Sequence, residues 1–101
     1  MYKHYAQKSF WKCYADLPEH IQDIADKQYL LLEANPRHPS LHFKKVGLFW
    51  SARVTDAYRA LALPVEDGFI WFWIGTHTEY DKLVWTVEVM SHSEAIAKYH
   101  Y

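Results

Sequence analysis

The sequence predicts an α+β domain, with two N-terminal helices packed on one face of a three- to five-stranded antiparallel sheet and a short C-terminal element. Three observations lead there. A helical apolar stripe runs through the first third of the chain and stops at Asn35-Pro36. The apolar period then changes to two, from about residue 41. An unbroken apolar run, FIWFWI at residues 69–74, reads as a strand buried on both faces. The 101 residues suit one domain, read as 1–101 with 85–101 as a C-terminal extension.

Taken in order, residues 3–7 read as a short first strand. Ser9 is placed to cap a helix over residues 10–15, whose apolar side is Phe10, Trp11, Cys13 and Tyr14. Pro18 suits a first helical turn, where its missing N–H costs nothing, and Glu19 then lies near the positive end of the dipole. Ile21, Ile24, Ala25, Leu31 and Leu32 continue the stripe, with Gln28 its one polar interruption. Beyond NPRHPS, Leu41 and Phe43 alternate with His42 and Lys44, and the phase breaks at Lys45-Val46. Gly47 supplies a turn. Trp50, Ala52 and Val54 face one way, and Ser51, Arg53 and Thr55 the other. After a turn near Asp56, residues 58–63 place Arg59, Leu61 and Leu63 on one face. Asp67-Gly68 is a hairpin signal. Thr78 with Asp81 has capping-box spacing. The stretch LVWTVEVM fits helix or strand equally, and Ser91 with Glu94 reads as the start of a last short helix. The second sheet face is expected to meet water or a partner.

Composition excludes several classes. A single cysteine, Cys13, rules out a disulfide framework and a zinc site built on paired cysteines. It is expected to be a buried structural thiol in a reducing, cytoplasmic setting. No apolar run is long enough for a bilayer, so no membrane association is expected. His38 and His42 have metal-pair spacing, but the flanking prolines oppose the helix that would align them, and neither metal nor other cofactor is expected. No P-loop, dinucleotide fingerprint or Ser-His-Asp set is present.

The net charge of -1 conceals segregation. Residues 37–59 carry Arg37, Lys44, Lys45, Arg53 and Arg59 against Asp56 alone. Residues 60–101 carry Lys82 and Lys98 against six acids. The basic block is interleaved with Phe43, Phe49, Trp50 and Tyr58. Such a surface can grip phosphates and stack bases, while composition alone favours solvated residues on an ordinary sheet face.

The runs LPEHIQ, NPRHPSLHFKKVG, WSARV, YRAL and WFWIGTHTEYDKL, in this order, resemble the RelE/ParE superfamily of bacterial toxins from toxin–antitoxin pairs, over roughly residues 9 to 84. The resemblance implies a small α+β fold and a cognate antitoxin that wraps the toxin. For many members it implies metal-independent cleavage of mRNA on the ribosome, which inhibits translation. For ParE-type members it implies a non-catalytic attack on DNA gyrase. A non-toxic interaction module on the same fold, and a homodimer, stay open. Two features differ from the usual pattern: the pI near 6.6, and the residues beyond the usual final helix.

Cleavage by a 2′-hydroxyl needs a proton acceptor, a proton donor and a cation on the phosphate. Histidine and arginine suit these tasks. His77 follows the interior strand, where cleaving relatives often place a histidine or tyrosine, and is expected as general acid or base. Arg59 is expected on the phosphate, Arg53 and Lys44 on the backbone, and Tyr80 stacking or donating. Lys45 and Arg37 complete the expected nucleic-acid contact. The alternatives are structural. His77 would satisfy a strand-to-helix junction, Arg59 would pair Glu66 or Asp67, Tyr80 would anchor the core, and Asp81 would cap a helix.

Overall fold

The computed structural model describes residues 2–88. Its elements are β1 (Lys3–Ala6), α1 (Lys8–Ala15), α2 (Glu19–Ala34), a 3-10 turn (Pro39–Leu41), β2 (Lys44–Val46), β3 (Phe49–Thr55), β4 (Tyr58–Val65), β5 (Gly68–Thr76) and α3 (His77–Glu88). The final helix expected from Ser91 lies outside the described residues. The strand order is β1-β5-β4-β3-β2. Four strands form an antiparallel meander, and β1 joins its β5 edge in parallel. The α1–α2 connection carries the chain from β1 across one sheet face, and this crossover permits the parallel pairing.

Packing follows the strand alternation. Ala52, Val54, Ala60, Ala62, Phe69, Trp71 and Ile74 form one core with Leu17, Ile21 and Leu32 of the α1–α2 layer. The opposite face carries Phe49, Leu61, Leu63 and Phe72. Tyr80, Leu83 and Val84 of α3 close over it, so the second face is partly roofed by the chain's own helix rather than left open. Phe49 and Leu61 are 0% exposed. Each buries enough apolar area to stabilise the fold by roughly 1.5–3 kcal/mol.

Several boundaries differ from the sequence reading, for local reasons. α1 begins at Lys8, and Ser9 is no cap: its hydroxyl donates to the Phe72 carbonyl at 2.9 Å and ties α1 to β5. Pro18 is itself the N-cap of α2. Gln28, the polar break in the stripe, donates to the Arg53 carbonyl at 3.2 Å and docks α2 on β3. Leu41 sits in the 3-10 turn rather than in a strand. His42 caps that turn in the left-handed region, with φ 44°, and β2 starts only at Lys44. Gly47, with φ 60°, makes the turn into β3. Opposite Leu61 and Ala62 of β4, β5 carries one extra residue, Phe72, and this bulge lets Phe72 and Trp73 serve the same face. Cys13 is half-buried against the first core.

The β1–β5 contact leaves no room at its first pair. A Cβ on Gly68 would lie 1.8 Å from the Lys3 carbonyl oxygen, a backbone atom that cannot step aside. Gly68→Ala is therefore expected to displace β1 and cost about 1–3 kcal/mol in urea denaturation. Wild-type stability in that variant would contradict the tight approach.

Candidate nucleic-acid interface

The site begins with a register. Arg53 on β3 and Arg59 on β4 are directly paired, so both side chains leave the same face of the sheet, the face that α3 covers. Like charges in that relation oppose each other. Asp56, in the turn that joins the two strands, relieves the repulsion: its Oδ1 accepts from Arg53 Nη2 at 2.5 Å. That hydrogen bond, followed by the charges of Arg53, Arg59 and His42, holds the Asp56 carboxyl below its usual range, although its side chain is 95% exposed. Arg53 Nη1 also donates to the Ser40 carbonyl at 3.4 Å. Arg59 folds back along its own strand, its Nη1 donating to the carbonyls of Thr55 and Tyr58.

The same turn fixes the start of α3. The His77 N–H donates to the Ala57 carbonyl at 2.7 Å. The helix is capped by Thr76 and Glu79 rather than by Thr78 and Asp81. The Glu79 N–H donates to Thr76 Oγ1 at 3.3 Å, and Glu79 Oε1 accepts from that hydroxyl at 2.9 Å and from the Thr76 N–H at 3.5 Å. Asp81, freed from capping, lies one turn below His77, with its Oδ2 3.2 Å from Nδ1. The His77 side chain is 43% exposed.

Arg53, Arg59 and His77 are thus gathered round the β3–β4 turn. Lys44 pairs with Ser51 and shares their face, whereas Lys45 pairs with Trp50 and faces the α1–α2 layer. Arg37 lies in the connection between α2 and the 3-10 turn, outside the strands that carry the pair. The expected single patch is therefore smaller than the sequence block suggested. Arg59 does not pair with Glu66 or Asp67, which form the turn at the other end of β4; Asp67 instead meets Lys3 and Tyr5. Tyr80 is 9% exposed and packed in the second core, so its ring is not available to stack on a base. Its ring centroid is 5.5 Å from that of His77, and the two rings are tilted at 53° to each other. The sequence assigns His42 no role beyond a disfavoured metal pair, yet it helps hold the Asp56 carboxyl below its usual range. Its signal in the sequence is its place in the basic block, two residues before Lys44. Among the described residues no group of three His, Cys, Asp or Glu side chains is placed to hold a metal ion, and no helix is long and apolar enough to cross a membrane.

No family model and no curated protein matches the chain. Solved structures do. A RelB–RelE antitoxin–toxin complex from Methanococcus jannaschii is similar with a TM-score of 0.61 at 19% identity, over 77% of this chain and 96% of that one. A mutant of the Escherichia coli toxin RelE in the free state gives 0.60 at 12% identity, over 87% and 94%. YafQ from Escherichia coli gives 0.57 at 15% identity, over 79% and 98%. The chain has the fold of the RelE-type toxins.

Because Thr76 and Glu79 satisfy the first N–H groups of α3, Thr76→Ala is expected to cost about 1 kcal/mol in chemical denaturation. An unchanged midpoint would show that the cap does not hold the helix start.

Proposed function

We propose that the protein is the toxin of a toxin–antitoxin pair and that it cleaves messenger RNA, with the ribosome presenting the strand. The observation that carries this reading is the directly opposed Arg53–Arg59 pair beside the partly exposed His77. Two arginines at directly paired positions bring like charges to one sheet face, which is unfavourable in a purely structural role and suited to a phosphate, which accepts paired N–H donors from arginine. The RelE fold adds an associational argument.

In the proposed reaction the ribose 2′-oxygen attacks phosphorus, and the bond from phosphorus to the 5′-oxygen breaks. With Nδ1–H directed at Asp81, Nε2 of His77 is the nitrogen left to take the 2′-hydroxyl proton. Arg59 lies against the phosphate and offsets the charge that builds on its oxygens. Arg53 and Lys44, on the same face, hold the neighbouring backbone. Tyr80 positions the imidazole and does not touch RNA. The leaving 5′-oxygen takes its proton from solvent or from a group of the ribosome. A cognate antitoxin would silence the protein, as RelB is bound to RelE in the Methanococcus complex.

Induced expression is expected to arrest growth, with new 5′ ends in transcripts mapped by primer extension. Arg59→Ala and His77→Ala should each lower cleavage by about 100-fold or more. Growth arrest with intact transcripts, or undiminished toxicity of His77→Ala, would overturn the nuclease reading and leave a protein-binding toxin such as one directed at gyrase.

A further inference from the structure

A second feature lies on the other side of the sheet. A half-open cavity of about 400 Å³ separates the α1–α2 layer from the strands. It exists because the floor is short of side chain. Ala52 and Ala60 are cross-strand partners beneath α2, and Ala25 faces the same space from the helix. The walls are aromatic: Phe10, Trp11 and Tyr14 from α1, Tyr29 from α2 and Trp71 from β5. Trp11 and Tyr29 are 54% and 42% exposed, which is unusual for rings bordering a core.

The charge of this cavity has a sign. Asp26 lies on its wall, with Oδ1 accepting from the Tyr14 hydroxyl at 2.7 Å. That bond pushes the Tyr14 phenol up to about 12, so it remains a neutral donor. The second carboxylate oxygen of Asp26, Oδ2, makes no hydrogen bond among the described residues. His4 also lines the wall, its Nδ1 accepting from Trp71 Nε1 at 3.0 Å, and burial lowers its pKa against the opposing charge of Glu33; the phenols of Tyr5 and Tyr29 are pushed above their ordinary range, by the hydrogen bond to Asp67 and by burial respectively. Arg53 borders the floor, but its guanidinium is turned away to Asp56 and the Ser40 carbonyl. Aromatic faces around a carboxylate attract organic cations. The volume lies in the range of small-molecule sites.

We propose that this cavity is a binding site for an organic cation with an apolar body, such as an arylalkyl ammonium, its charge against Asp26 and the rings of Trp11, Tyr14 and Tyr29. The site is separate from the Arg53–Arg59 pair and does not depend on the RNA reading. It is tested on the full chain by following the indole N–H signals in NMR titrations with benzyltrimethylammonium and with benzenesulfonate. The cation is expected to shift them saturably and the anion to leave them in place. Asp26→Asn should weaken cation binding roughly tenfold, and Ala60→Leu, which fills the floor, should abolish it. Asp26 is exposed, so its variant remains informative even if Ala60→Leu does not fold. The proposal is overturned if neither probe shifts the signals at millimolar concentration, if the anion binds as well as the cation, if Asp26→Asn binds the cation undiminished, or if folded Ala60→Leu does so.

Discussion

Each group in the proposed RNA site is positioned by the register of β4. This strand lies at the centre of the sheet and pairs along its length with β3 on one side and β5 on the other. Its alternation divides the chain into two cores, with alanines toward α1 and α2 and leucines toward α3. A one-residue slip would exchange those sets and turn Arg59 into the apolar layer. Because the cores oppose such a slip, Arg59 stays opposite Arg53 on the α3 face. At the end of β4, the Ala57 carbonyl receives the His77 N–H and sets the first turn of α3 against the same loop.

The arrangement shows how a chain with almost no net charge presents a cationic site. The acids of the C-terminal part are used locally: Glu79 caps α3, Asp81 meets His77, and Asp67 meets Lys3 and Tyr5. Asp56 alone lies among the paired arginines, and it stands exposed beyond them. Asp56 thus offsets part of the positive charge that the paired positions bring to this turn, and a phosphate would offset more of it.

Much of this was legible in the sequence wherever a local pattern has one reading. Period two from Trp50 to Leu63 assigned the faces of β3 and β4, because a strand has no other way to distribute side chains. Asp67-Gly68 marked the last hairpin, and Asn35-Pro36 the end of α2. Ambiguity entered where two patterns coincide. Thr76–Glu79 and Thr78–Asp81 both have cap spacing, and only the hydrogen bond to Ala57 selects the first. Leu41 and Phe43 fit an alternating strand, yet the Pro39 turn and the left-handed His42 bring both to the core without one. The parallel partner of β1 and the burial of Tyr80 depend on contacts distant in sequence. The facing of Arg53 and Arg59 required the register, for which the turn near Asp56 was only a hint. The alanine-floored cavity left no trace, since small residues in strands read as ordinary core.

The central claim is that RNA meets this protein at the β3–β4 turn. Backbone NMR with a short RNA carrying 2′-methoxy groups, which removes the attacking hydroxyl, reads this directly. The expected result is a set of saturable shifts confined to the amides of residues 51–60 and 75–81, weakening steeply with salt. Shifts centred on α1 and α2, or none at low salt, would contradict it.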